Sequence, residues 1–291
     1  MAAGFRFNFH VDDEEESETS ITDNANSLTL KPGKQFAVPK DFTLPLDIRT
    51  EKQNIGGFSF VHLNLQDVEM KLKSNDKSME IASAIRTSTD LIPSVYEGGL
   101  KIWECAVDLV EFLQESQILL QNRRVLELGC GAGLPGIFAL LQNATVDFQD
   151  YNEEVLEYFT LPNVTLNLAA NSTSIEEKLK ITNFFSGDWG KLESFINPEK
   201  CQEKCYDVIL TAETIYNVDN YDKLHSFFEA HLRRPGGVVF VAAKSHYFGV
   251  GGGTGTFATM IQEKGVFDVS VCKKYSIGLQ REILSLKWKT T

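Results

Sequence analysis

From Gly98 onward, hydrophobic positions alternate between two periods. Trp103, Ala106, Val107, Val110 and Leu113 recur at helical spacing and predict an amphipathic helix ending before Gln121. Arg124–Leu128 then reads as a strand, Leu134–Leu141 as a helix, Thr145–Gln149 as a second strand, and a helix starts near Glu153. Ile181–Phe185 and Tyr206–Thr211 give a third and fourth strand. Tyr221–Leu232 is a helix stopped by Pro235-Gly236-Gly237, and Val238–Ala243 is a fifth strand. Phe267–Val271 and Glu282–Trp288 close the chain as two strands with no helix between them. Repeated strand–helix units imply a parallel sheet covered by helices on both faces, with the last two strands forming an antiparallel pair at one edge.

Ahead of this pattern the chain differs. Residues 1 to about 35 are polar and acidic and predict a disordered tail; residues 36–95 read as an accessory segment, and 96–291 as the catalytic-type α/β domain. Within the accessory segment Phe58–Leu65 alternates as a strand does, and the stretch to Lys73 is expected to continue it or pair with it.

Composition narrows the class. A 43% hydrophobic fraction with three Trp, eight Tyr and twenty Phe fills a core. The apolar runs are far short of the roughly 20 residues that cross a bilayer. The first residues lack the layout of a secretory signal, so a soluble intracellular protein is expected, without membrane association. Five scattered Cys suit a reducing compartment, and Cys201-x-x-x-Cys205 reads as two ordinary thiols, with no metal site expected. The net charge of −12 argues against general nucleic-acid binding and for a basic partner. Much of it lies in Asp12–Glu16 and Glu18, a solvated tail or a docking element for a basic protein.

The chemistry concentrates at Val125–Gly136. Gly131-x-Gly133-x-x-Gly136 after a strand matches the dinucleotide fingerprint, a weak signal alone. Glu127 turns the reading toward S-adenosylmethionine, because a carboxylate repels a pyrophosphate and attracts a cationic methionine moiety. Asp150, at the end of the second strand, suits two ribose hydroxyls in either cofactor class. Gly136 reads as a helix-packing glycine. Gly249–Gly253 is followed by no Lys-Ser/Thr, which excludes a phosphate loop and leaves a flexible rim at a substrate mouth.

Several motifs carry a family resemblance: Gly98-Gly99-x-x-x-Trp103-Glu104-x-Ala106, Asp150-Tyr151-Asn152, Leu161-Pro162-Asn163-Val164 with Asn167, and Ser186-Gly187-Asp188-Trp189. To these are added Thr211–Asn217, with Glu213 where lysine-modifying relatives carry Asp, and Ala243–Gly253. Together they resemble the histidine protein methyltransferase 1 family over roughly residues 95–291. The resemblance implies a Rossmann-like seven-stranded α/β sheet, mostly parallel with an antiparallel edge strand, behind an N-terminal extension. It implies transfer of a methyl group from S-adenosylmethionine to the tele nitrogen of a histidine in a basic large-subunit ribosomal protein, the third of the L series. It also implies residence in cytoplasm and nucleus, nucleolus included.

Carried over residue by residue, Gly129, Cys130, Gly131 and Gly133 line the methionine and ribose side, and Glu127 faces the amino end. Asp150 and Asn152 stand at the ribose. Gly187, Asp188 and Trp189 flank the adenine, Trp103 closes over the methionine, and Thr211 sits at a strand's carboxyl end. Glu213 is the first candidate to orient the acceptor imidazole, followed by Asn217, Tyr216 and His246. Two other readings stay open: a protein-lysine methyltransferase, and a cofactor-binding adaptor that docks on ribosomal proteins or chaperones without turnover.

Overall fold

The computed structural model describes residues 30–74, 81, 84, 91–171 and 173–290. The acidic run Asp12–Glu18 lies outside them. Ten strands are defined: β1 Lys34–Phe36, β2 Thr50–Ile55, β3 Phe58–Leu63, β4 Arg124–Leu128, β5 Thr145–Asp150, β6 Phe184–Ser186, β7 Val208–Ala212, β8 Val238–Lys244, β9 Phe267–Tyr275 and β10 Arg281–Trp288. Eight of them form one sheet in the order β1-β6-β5-β4-β7-β8-β10-β9, while β2 and β3 make a separate hairpin. The five strands from β6 to β8 are parallel. β10 runs antiparallel between β8 and β9, and β1 runs antiparallel to β6.

The seven strands from the 96–291 region form the expected mostly parallel sheet with an antiparallel edge. An eighth strand joins from the N-terminal extension: β1 pairs with β6, and its Phe36 packs edge-to-face on Phe184. An isolated three-residue strand leaves almost no periodicity to read, so only its partner reveals it.

The sheet is buried on both sides because neighbouring residues of each strand serve opposite cores. Val125, Val208, Phe240 and Ile283 join one cluster, and Leu126, Ile209, Val239 and Leu284 join the other. This explains the near-continuous apolar runs of the parallel strands. Helices Glu104–Glu115 and Leu134–Leu141 pack on the first face, and Tyr221–His231 with Thr254–Lys264 on the second.

Further departures have local causes. The stretch to Lys73 is a helix, Leu65–Lys73, because Asn64 caps it through Asp67 N (3.1 Å) and Val68 and Leu72 sit one turn apart on its buried side. The third parallel strand starts at Phe184, since Ile181 ends a helix at Ile175–Lys180. The helix Thr254–Lys264 occupies a stretch that the reading above gives no element.

The β2–β3 hairpin belongs to the same core. Asn167 accepts from Val61 N (3.0 Å) and donates to Val61 O (2.6 Å), while Asn163 accepts from Leu63 N (2.9 Å). Both asparagines lie on a helix that runs from Glu153–Val155 through a π turn, Leu156–Thr160, into Leu161–Ala170. Among the described residues no helix is long and apolar enough to cross a membrane.

Candidate active site

Strand order reverses about β4, which pairs with β5 on one side and β7 on the other. In open α/β sheets, ligands bind outside the carboxyl ends of strands at such a switch point. A cavity of about 300 Å³ opens there, lined by residues from the β4, β5 and β7 ends and from the 93–106 segment.

Its floor is the Gly129–Gly133 turn. Gly129, Gly131 and Gly133 all have left-handed φ values, of 60°, 47° and 78°. A Cβ on Gly131 would stand 2.9 Å from the Gly99 carbonyl oxygen, so the 93–106 segment closes directly onto this turn. Thr160, on the π turn, donates to the Gly131 carbonyl (2.6 Å), which ties the turn to the helix behind it.

Two carboxylates meet this turn. Glu127 is buried, and its Oε2 accepts from Gly136 N (2.8 Å). Burial pushes its pKa well up, the Gly136 N–H opposes this, and the Asp150 charge adds to it. Gly136 both packs and binds, since a Cβ there would also strike the Phe148 ring. Asp150 Oδ2 accepts from Gly131 N (3.0 Å) and Oδ1 from Asn152 N (3.1 Å). Burial pushes Asp150 up to about 6 against those two N–H groups. Each carboxylate oxygen keeps a second lone pair for a ligand hydroxyl. Two buried anions beside a glycine turn fit a ligand carrying a cationic head and a diol, as S-adenosylmethionine does.

On the adenine side Asp188 is used twice within the protein. It caps the helix Trp189–Ile196 through Gly190 N (3.0 Å), and Lys223 Nζ lies 2.9 Å from Oδ2. Trp189 donates from Nε1 to Gln149 Oε1 (2.8 Å). Gln149 also accepts from Gly129 N (3.2 Å) and donates to the Gly187 carbonyl (3.0 Å). This fully buried side chain joins three parts of the site and was not among the sequence candidates. A polar amide within the buried run Val146–Asp150 was the available signal. Glu97 was missed too. It lines the cavity, accepts from Ser94 N (2.7 Å) and from the Tyr216 hydroxyl, and burial raises its pKa.

At the β7 end Glu213 lines the cavity with a left-handed backbone, φ 60°. For a residue other than glycine that conformation costs roughly 1–3 kcal/mol, and such strain clusters at functional positions. Glu213 Oε2 accepts from the Tyr247 hydroxyl (2.5 Å). The Lys244 ammonium lies 3.3 Å from Glu213 Oε1 and donates to Oε2 (3.4 Å). The Cys105 thiol lies beside this carboxylate and is pushed well up, first by burial and then by Glu213. Burial likewise raises Cys130, so neither thiol is a nucleophile near neutrality.

Of the sequence candidates, Trp103, Glu127, Gly129, Cys130, Gly131, Asp150, Asp188, Trp189, Glu213, Tyr216 and Asn217 share the cavity wall. Five stand off it. Gly133 caps the Leu134–Leu141 helix, and Thr211 donates to Leu128 O (2.9 Å), joining β7 to β4. Asn152 donates to Val95 O (2.8 Å) and so holds the 93–97 segment. Gly187 passes beside the Pro32 carbonyl, where no side chain fits. His246 is exposed, its ring edge-to-face with Phe248 at 4.8 Å. The Gly249–Gly253 rim is fastened rather than loose: Gly252 N donates to Tyr216 O (3.0 Å), and Tyr247 N to Gly252 O (2.9 Å).

Comparison with known proteins agrees with this geometry. The profile of the family described as Lysine methyltransferase matches residues 91–264. The chain is 36% identical over 291 positions to a Bos taurus protein named histidine protein methyltransferase 1 homolog, covering 94% of this chain and 77% of that one. A Dictyostelium discoideum protein of the same name is 40% identical over 200 positions, covering 68% of this chain and 60% of that one. A putative SAM-dependent methyltransferase from Streptococcus mutans shares the fold, with a TM-score of 0.52 at 11% identity, over 82% of this chain and 55% of that one. The chain is an S-adenosylmethionine-dependent methyltransferase and belongs to the histidine protein methyltransferase 1 family.

Proposed function

We propose that this enzyme methylates the tele nitrogen of a histidine in a basic large-subunit ribosomal protein, the third of the L series. The observation that carries the reading is Glu213, a strained, buried carboxylate at the acceptor end of the cavity, fixed by the Tyr247 hydroxyl and with its charge balanced by Lys244. An imidazole has an unperturbed pKa near 6.5, so at neutral pH most of it is already a nucleophile. What it needs is a fixed tautomer. Glu213 accepts the pros N–H and leaves the tele lone pair facing the cavity.

S-adenosylmethionine supplies an electrophilic methyl group on a cationic sulfur. Glu127 holds the cationic amino end and Asp150 the ribose hydroxyls. Trp189 packs on the adenine side, and Trp103, fixed by donation to Gly98 O (3.0 Å), covers the methionine side and excludes water. Alignment and dryness supply most of the rate in such a displacement. The acidic surface recruits the basic acceptor and predicts a Michaelis constant that rises with salt. The compartments of such a substrate, cytoplasm and nucleus with the nucleolus, are those we assign to the enzyme.

Lysine is the second acceptor reading, favoured by the description of the matching family profile. The deciding experiment is methyl transfer from labelled S-adenosylmethionine into an extract lacking this enzyme, followed by hydrolysis to amino acids. Label in tele-methylhistidine of one large-subunit ribosomal protein is expected. Label in lysine overturns the reading, and no label despite cofactor binding leaves an adaptor.

A further inference from the structure

We infer that Lys244 sets the acceptor class of this cavity: its buried ammonium, paired with Glu213 and set over the Trp103 ring, takes the place a substrate ammonium would need and leaves a site for a neutral imidazole. The inference rests on the histidine reading above and deepens it.

The starting point is what a lysine acceptor demands. Its amine is cationic at neutral pH, with an unperturbed pKa near 10.4, and it must be captured as an ammonium before it loses its proton. A carboxylate and an aromatic face are the two features that capture ammonium ions. The acceptor end of the cavity has two such pairs, Glu213 with Trp103 and Glu97 with Tyr216, and in the second the Tyr216 hydroxyl already donates to the carboxylate. Glu213 and Trp103 are already engaged by cations of the protein itself. Lys244 Nζ lies 3.3 Å from Glu213 Oε1 and 5.3 Å from the centre of the Trp103 ring. Lys101 Nζ, on the cavity wall, lies 4.4 Å from the same ring centre.

Lys244 is itself 4% exposed, so water screens little of its charge. Its position is fixed by the sheet. It ends β8 beside the end of β7, where Glu213 N donates to Ala242 O (2.9 Å). Tyr247 closes the group: its hydroxyl accepts from Lys244 N (3.2 Å) and donates to Glu213 Oε2. Lys244, Glu213 and Tyr247 thus form one unit at the β7 and β8 ends, and Glu213 is the member that reaches the cavity wall. Lys244 acts through Glu213 and Trp103 and is a positioning residue.

An incoming ammonium meets a neutralised carboxylate and two like charges on the ring it would stack upon. An imidazole meets an acceptor for its N–H and no charge conflict. The remaining wall sets five carboxylates, Glu97, Glu127, Asp150, Asp188 and Asp219, against Lys101 and Lys223, so without Lys244 the balance at the cavity would favour a cation.

The test uses the full chain and the peptide of the acceptor labelled in the extract experiment, made with histidine or with lysine at the methylated position. For the unaltered enzyme, kcat/KM favours histidine by about 1000-fold. Lys244→Met is expected to lower that preference at least tenfold, mainly by raising turnover of the lysine peptide. Lys244→Arg is expected to restore it, and S-adenosylhomocysteine affinity should stay within about threefold in both. A preference unchanged within about twofold in Lys244→Met overturns the inference while the histidine reading stands. If Lys244→Met fails to bind S-adenosylhomocysteine, Lys244→Gln removes the charge and keeps a hydrogen-bond donor to Glu213. That variant is expected to lower the preference at least tenfold, and an unchanged preference overturns the inference. An unaltered enzyme that labels the lysine peptide and spares the histidine one removes the reading and the inference together.

Discussion

The two ends of the cavity are built by different means. At the cofactor end, backbone does most of the holding. Gly131 N and Asn152 N fix Asp150, Gly136 N fixes Glu127, and Gly129 N rests on Gln149. At the acceptor end, side chains hold side chains: Tyr247 and Lys244 fix Glu213, and Tyr216 meets Glu97 across more than a hundred residues of sequence. A backbone cradle is indifferent to most side-chain changes nearby and intolerant of any atom added to it. A side-chain cluster behaves the other way, keeping its fold when one member changes and losing its chemistry.

That difference can be broken at either end. Gly131→Val forces a branched side chain into a left-handed turn against the Gly99 carbonyl. Calorimetry with S-adenosylhomocysteine is expected to show affinity reduced by about 100-fold or more, equivalent to about 2.7 kcal/mol. Glu213→Gln should lower kcat on the histidine acceptor by about 100-fold, while cofactor affinity stays within about threefold. If both parameters fell together, the separation of the two ends would be wrong.

The Gly249–Gly253 loop sharpens the contrast. A Cβ on Gly252 would run into the Tyr216 and Ile215 carbonyls, whereas one on Gly251 meets nothing. Gly252→Ala is therefore expected to cut acceptor turnover by about tenfold and Gly251→Ala by about twofold, the latter from its left-handed φ alone. Equal losses would return the loop to the flexible rim read from sequence.

Acid acts on the cofactor end, and its sign is set by Asp150. Burial raises this carboxyl to about 6, above its ordinary 3.8, so the folded chain holds the proton more tightly than the unfolded chain. The stability linked to that proton is full below the unfolded value and is lost as pH rises through about 6, at a cost of about 3 kcal/mol to the cofactor-free protein. Cofactor binding runs opposite, because the ionised carboxylate is the better acceptor of hydroxyls. S-adenosylhomocysteine affinity is expected to fall about fourfold from about pH 7.5 to about pH 5.5, and Asp150→Asn should flatten that dependence.

The same contrast decides what the sequence could tell. Glu127, the glycine turn and Asp150 lie within twenty-four residues of one another, on a strand–turn–helix–strand pattern that periodicity makes visible. Their roles follow from local order. Glu213 could be suspected from its motif, but that Lys244 and Tyr247 of the Ala243–Gly253 motif hold it could not, since only the β7–β8 register brings the two motifs together. Gln149 and Glu97 were missed for the same reason: each joins segments that are far apart in sequence. His246, adjacent in sequence to the helpful residues, points elsewhere because Tyr247 turns inward beside it. The large sheet was legible because its core strands are long and apolar. β1, β2 and the helix Thr254–Lys264 were not, being short, polar or placed after a glycine-rich run.

The strand β1 bears on how the margins of the sheet are closed. An open sheet edge is a template for adding another chain, and aggregation by edge pairing is its usual hazard. Here one edge ends in three residues, with Lys34 paired to Glu153, too short to recruit a neighbour. The other ends in β9, where half-buried Lys273 pairs with Glu115 and exposed Lys274 with Glu282. Both margins of the sheet thus carry ion-paired lysines, charge that an added strand would have to desolvate, an arrangement that discourages edge-to-edge stacking.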